Sequence, residues 1–141
     1  MAYANMYERI AASFARQGFP RLIGIALEEA EYGKVVLSCP FNEQLTQQTG
    51  FFHGGVLATL ADNAAGYAAL TVMPEDAEVL SVEFKINMLR PARADKIYAT
   101  GTVLKGGKRL VVSEALVTDA ARSTLYAKLQ ATMIVLPHAA M

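Results

Sequence analysis

A chain of 141 residues, 53% hydrophobic and 18% charged, has the length and composition of one packed domain. Its 13 basic residues cancel its 13 acidic ones, so no global charge draws it to nucleic acid or to an anionic membrane. The only cysteine, Cys39, excludes an intrachain disulfide and a cysteine-based metal cluster.

The opening segment, MAYANMYERIAASFARQG, lacks a continuous apolar stretch and carries Glu8 early. A secretory signal is therefore not expected. No apolar run reaches roughly 18 residues, so no membrane span is expected and the cytoplasm is the default location. Tyr3, Met6, Tyr7, Ile10 and Phe14 recur at helical spacing and predict an amphipathic helix over 3–17, stopped by Gly18 and Pro20. Two strands are expected over 22–31 and 34–41, joined by a turn at Tyr32-Gly33. A polar loop, 42–52, ends in Phe51 and Phe52.

A central helix is predicted from Gly54 to Leu70, ended by Met73-Pro74. Ala58, Ala61, Ala65 and Ala69 line one side, small enough for a sheet to approach closely. In 79–89, Leu80, Val82, Phe84, Ile86 and Met88 alternate with polar residues, a period of two that predicts a strand. Strands over 96–105 and 108–119 flank Gly106-Gly107, which suits a tight two-residue hairpin. A last strand, 123–136, ends at Pro137. The order is α+β with a mainly antiparallel sheet. One long helix cannot cover a whole sheet, and exposed strand edges favour dimerisation.

Asp62 is the anomaly. It falls among Leu60, Ala61, Ala64 and Ala65, and a buried carboxylate must be paired, hydrogen-bonded or protonated. It reads either as a polar-face residue beside Thr59 and Asn63, or as a general base or nucleophile facing a pocket. His53-Gly54-Gly55 opens the same helix. The first helical amides lack intrahelical acceptors and suit a developing oxyanion; the plain alternative is a flexible turn. His53 itself is either a structural cap or a ligand contact. Amides and carboxylate lie two helical turns apart, about 11 Å, which is too far for both to grip one carbonyl. Two copies in a symmetric dimer would solve this, with amides from one subunit and the carboxylate from the other.

Other candidates carry less. Lys105, Lys108 and Arg109 around Gly106-Gly107 read as a phosphate clamp or as a solvated basic turn. No dinucleotide or P-loop motif is present, and no nucleophile elbow surrounds Ser38, Ser81, Ser113 or Ser123. His53 and His138 are the only histidines, which excludes a histidine-rich metal site.

GFFHGGVLATLADNAAGYAA (50–69), LSVEFKINMLRPA (80–92) and the late strands together resemble the hotdog-fold acyl-CoA thioesterases of the phenylacetate-degradation (PaaI-like) family. The resemblance runs from about Arg21 to Leu136, so 1–20 reads as an N-terminal helix and 21–137 as the hotdog domain. It implies a long central helix wrapped by a curved antiparallel sheet. It also implies a homodimer with shared active sites, two of which pair into a homotetramer. Carried over by residue, it gives Gly54 and Gly55 as amide donors to the thioester carbonyl oxygen. His53 supports the loop, and Asp62 of the opposite subunit attacks the carbonyl or activates water. Ser81 helps position the water or intermediate. Where many members carry Asn six residues before the motif histidine, this chain has Gln47, one methylene longer.

The expected reaction is hydrolysis of acyl-CoA to free acid and CoA, with no metal or redox cofactor and coenzyme A entering only as part of the substrate. Phe51, Phe52, Leu57, Tyr67 and Met88 are candidates for the acyl pocket. Arg90, Arg93, Lys105, Lys108 and Arg109 are candidates for the CoA phosphates. The alternatives are a thioesterase acting on carrier-protein esters and a non-catalytic acyl-CoA-binding protein. Hotdog dehydratases fit less well, because His53 leads into the glycine pair.

Overall fold

The computed structural model describes residues 2–137; His138 lies outside the described residues. The chain order is α1 (Met6–Phe14), α2 (Phe19–Leu22), β1 (Ala26–Glu31), β2 (Lys34–Pro40), α3 (Gly54–Thr71), β3 (Glu78–Met88), β4 (Lys96–Lys105), β5 (Leu110–Thr118) and β6 (Leu125–Leu136). A single six-stranded antiparallel sheet runs β1-β2-β4-β5-β6-β3. It wraps α3, and this is the α+β hotdog arrangement.

The wrap works because α3 is thin. Ala61, Ala64, Ala65, Ala68 and Ala69 are fully buried, so much of its buried surface is small, with Leu60 and Leu70 as bulky exceptions. Facing strands supply the bulk: Val35 and Leu37 from β2, Ile97 from β4, Val111 and Val117 from β5, Leu129 and Met133 from β6. At Gly101 of β4 the two backbones nearly touch. A Cβ there would lie 2.1 Å from Ala64 O. The buried Ser113 hydroxyl donates to Ala65 O (3.0 Å), a second direct link from sheet to helix backbone.

Several boundaries depart from expectation, each for a local reason. The first helix is α1, not 3–17, because the Asn5 side chain accepts from Glu8 N and starts it there. The strand expected from residue 22 begins at Ala26. Pro20 near the start of α2 favours a helical turn, and Gly24, at φ +91°, then redirects the chain. The β4–β5 connection spans four residues, 106–109, rather than two, so Lys108 and Arg109 belong to the loop and not to β5. In that loop a Cβ on Gly107 would meet Leu110 O at 2.7 Å. The period of two in β3 is also interrupted. Ser81 pairs with Met133 and Glu83 with Thr132, so Val82 is bulged. Leu80 and Phe84 consequently face opposite sides of the sheet.

α1 packs across β1 and the second half of α3. Arg9 anchors it. Its buried guanidinium donates to Met73 O (3.2 Å) and Pro74 O (2.6 Å), carbonyls just past the end of α3, where a cation also complements the helix dipole. Arg9→Met keeps the stem and deletes these bonds; we expect a loss of about 1.5–3 kcal/mol, read by urea unfolding.

Candidate active site

The loop before α3 is held by its own backbone. His53 N donates to Leu45 O (2.8 Å), Phe52 N to Ala92 O (3.0 Å), and Gln47 N to Phe51 O (2.9 Å). Gly50, at φ +85°, makes the turn that this last bond closes. Phe41 and Phe52 pack edge to face at 5.5 Å. These contacts fix His53 as the N-cap of α3, with extended backbone at φ −61°, ψ 139°.

The two glycines then differ. His53 Nδ1 accepts from Gly55 N at 2.8 Å. That bond engages the Gly55 amide, so the two glycines of the motif are not equivalent in this arrangement. The Gly54 amide has no acceptor among the described residues. Because Nδ1 accepts, the neutral imidazole carries its proton on Nε2. The Gly54 backbone lines a cavity of about 430 Å³ with Gln47, Phe51, Leu57, Met88 and Arg90. Gln47 Oε1 accepts from Thr49 N (2.5 Å) and Thr49 Oγ1 (2.6 Å), and the Gln47 NH2 has no acceptor among the described residues. Of the acyl-pocket candidates, Phe51, Phe52, Leu57 and Met88 border this cavity, whereas Tyr67 borders another.

That other cavity, about 390 Å³, is bordered by Asp62, Gly66, Tyr67, Val79, Ser81 and Met133. Ser81 Oγ donates to Asp62 Oδ1 at 2.7 Å. The Val82 bulge makes this contact possible, since it lets Ser81 face α3 while Phe84, Ile86 and Met88 also do so beyond it. A smaller cavity, about 350 Å³, touches Asp62 from the side of Ala58, Thr59 and Phe84. Burial pushes the Asp62 carboxyl above the usual carboxylate range, and the Ser81 hydrogen bond offsets part of that rise. Asp62 is thus a half-buried acid facing open space, not a solvated surface residue.

One chain does not unite Gly54 with Asp62. They are eight residues apart on α3, about 12 Å along the axis, and border different cavities. The basic candidates divide too. Arg90 borders the Gly54 cavity and donates to Leu125 O (3.0 Å). The Arg93 guanidinium lies 5.8 Å from the centre of the Phe51 ring. Lys105, Lys108 and Arg109 sit at the β4–β5 tip, where Gly106 approaches Val72 at the far end of α3. That is about 27 Å from Gly54. No described helix is long and apolar enough to cross a membrane.

Residues 49–125 match the sequence model of the thioesterase superfamily. The chain belongs to that superfamily. Human acyl-coenzyme A thioesterase 13 is 34% identical over 126 residues, covering 88% of this chain and 89% of its own. A 1,4-dihydroxy-2-naphthoyl-CoA hydrolase from Listeria monocytogenes is 33% identical over 102 residues, 72% of this chain and 83% of that protein. A thioesterase family protein from Silicibacter pomeroyi superposes with a TM-score of 0.88 at 36% identity, covering 94% and 98% of the two chains. The E. coli PaaI protein, at 22% identity, shares the fold with a TM-score of 0.83 over 92% and 91%. Thioester hydrolysis is the activity that superfamily membership supports. Ser13, Gln17 and Asn63 also border the Asp62 cavity, and sequence reasoning passed over them. Asn63 and Tyr67 have the i, i+4 spacing of one helix face, but only the packing of α1 brings Gln17 and Ser13 to them.

Proposed function

We propose that the protein is a PaaI-like acyl-CoA thioesterase whose active site forms between two subunits. The observation that carries this reading is the division of labour just described. One end of α3 has an open amide at a helix N-terminus, and its middle has a carboxylate with a raised pKa. Each borders its own cavity, out of reach of the other in the same chain.

The edges of the sheet support the pairing. β1 carries Glu28, Glu29 and Glu31, charges that discourage strand addition. β3, the other edge, exposes Leu80, Val82, Phe84 and Met88 by 41–54%. Antiparallel pairing of two β3 strands centred near Phe84-Lys85 would set Met88 opposite the partner's Ser81. A Cβ on Gly54 would lie 3.4 Å from Met88 Cε, and Ser81 is bonded to Asp62. This register therefore carries each Gly54 to the other subunit's Asp62. The exposed Leu80 and Leu110, joined across the sheet by Ile134, offer a face for pairing dimers into a tetramer.

In such a site the thioester carbonyl oxygen accepts from Gly54 N–H at the positive end of α3. Charge that develops on it in the tetrahedral intermediate is stabilised there. The Asp62 carboxylate either takes a proton from water, whose oxygen adds to the carbonyl, and returns that proton to sulfur as the C–S bond breaks, or itself adds to the carbonyl and expels CoA thiolate, which is protonated from solvent while water hydrolyses the resulting mixed anhydride to free acid. Arg90 and Arg93, at the Gly54 end, are the better placed of the basic residues for CoA.

Gly54→Pro tests the oxyanion role. Proline suits the first helical position, and the extended backbone of His53 tolerates a following proline, so the change chiefly deletes one N–H. We expect kcat to fall about 10²–10³-fold, with Gly54→Ala, which keeps the N–H, much less affected. Sharing between subunits is tested by co-refolding Gly54→Pro and Asp62→Asn chains in equal amounts. Random pairing leaves one intact site in half of the dimers, and activity should return to about a quarter of wild type. No recovery from well-folded mixed dimers rules out the shared site.

A further inference from the structure

The cavity beside Asp62 extends under α1, and its inner wall is polar. Asn63 Nδ2 donates to Thr59 O (2.9 Å), which fixes Asn63 Oδ1 as the acceptor for Gln17 Nε2 (2.9 Å). The same nitrogen donates to Tyr67 Oη (2.7 Å), and Tyr67 Oη lies 3.2 Å from Ser13 Oγ. A side-chain amide has two N–H donors, and both of Gln17's are used. Its carbonyl oxygen, Oε1, accepts from no group among the described residues. The wall does not rearrange freely, because Tyr67 is 4% exposed and Phe14 packs against its ring edge-on at 6.0 Å.

An alkyl chain laid against this wall would take Gln17 Oε1 from water and offer it nothing, which is unfavourable. A ligand hydroxyl would donate to it. We propose that Gln17 is a specificity-determining residue, whose side-chain carbonyl accepts a hydrogen bond from a donor group at the far end of the acyl moiety. The proposal rests on the thioesterase reading above, in which Asp62 marks the reacting carbonyl. Asn63 and Tyr67 lie one and five residues beyond Asp62 on α3, so the wall stands up to roughly 8 Å from it along the axis. That reach suits a hydroxyl on a six-membered ring or at the end of a short chain. A long saturated chain would have to cross the wall.

The test is thiol release from two matched pairs of esters, hexanoyl-CoA with 6-hydroxyhexanoyl-CoA and benzoyl-CoA with 4-hydroxybenzoyl-CoA. For wild type we expect the hydroxylated member of at least one pair to be favoured about tenfold or more in kcat/KM. In Gln17→Met the ratio should fall to near one, through loss of the hydroxylated substrate and not of the plain one. Tyr67→Phe removes only the hydroxyl that holds Gln17 and should give an intermediate ratio. Brisk wild-type turnover with a ratio near one in both pairs overturns the proposal, whether or not the variants fold. So does a Gln17→Met enzyme that keeps the wild-type ratio. Absence of turnover with all four esters while palmitoyl-CoA is hydrolysed also overturns the proposal, whereas absence of turnover with palmitoyl-CoA as well overturns the acyl-CoA thioesterase reading itself.

Discussion

Asp62→Asn is expected to lower kcat/KM for acyl-CoA hydrolysis by about 10²–10⁴-fold and to leave the fold and the subunit assembly intact. Asn preserves the shape and can still accept from Ser81 Oγ, so the loss isolates the charge. The pH dependence gives a second, independent reading. Burial raises the carboxyl pKa of Asp62, and the mechanism needs the carboxylate. Activity should therefore rise with pH along a limb displaced upward from the usual carboxylate range. That limb should vanish from whatever activity the Asn variant retains. Stability should move the other way. A pKa higher in the folded than in the unfolded chain means that the folded state holds the proton more tightly. Wild type then loses stability as pH rises from the unfolded value through the folded one. The uncharged amide of the variant carries no such burden, so at neutral pH the variant should melt at or above the wild-type temperature, with any advantage gone in acid. Thermal melts of both proteins at about pH 4 and pH 7.5, beside thiol-release profiles, make the comparison. A variant that is active and less stable would reassign Asp62 to a structural role.

The features legible in the sequence were those written in side-chain period and composition. The small residues of α3 announced a helix that a sheet could embrace, and GFFHGG announced its open start. Asp62 stood out because a carboxylate amid alanines needs a reason. The features missed arise from single contacts between distant segments. Gly55 looks like its neighbour Gly54, and only the rotamer of His53 separates an occupied amide from an open one. The alternation in 79–89 was real, but a one-residue bulge at Val82 reversed its facing and aimed Ser81 at Asp62; nothing in the local sequence marks that position. Charge alone groups the basic residues together, whereas the fold puts Arg90 and Arg93 at one end of α3 and Lys105, Lys108 and Arg109 at the other. Gln17 ended a predicted helix and gave no sign that its amide would meet Asn63 and Tyr67 across 46 and 50 residues.

Gly101→Ala is expected to be the most damaging single-methyl change in the described chain, at about 3 kcal/mol or more, the upper end of overpacking effects. The added Cβ would lie 2.1 Å from Ala64 O, 2.4 Å from Ala64 C and 2.8 Å from Ala65 N. These are backbone atoms within a buried helix, so no side chain can swing aside. Relief requires α3 to move off β4, which opens the contacts of Ile97 and Ala99 and strains the Ser113–Ala65 bond. Against a domain stability of about 5–15 kcal/mol, that is a large share. Gly106→Ala is the matched control on the same β4–β5 segment. Its Cβ would meet Val72 Cγ2 at 3.6 Å, an ordinary contact, and about 0.5 kcal/mol or less is expected. Urea unfolding of both variants distinguishes a clash from a general intolerance of side chains in this region. The effect should reach catalysis as well. Asp62 rides on the helix that must shift, while Ser81 stays on β3, so Gly101→Ala protein that does fold should lose activity out of proportion to its folded fraction. A Gly101→Ala protein with wild-type unfolding and turnover would mean that the helix and sheet are not in backbone contact at this point.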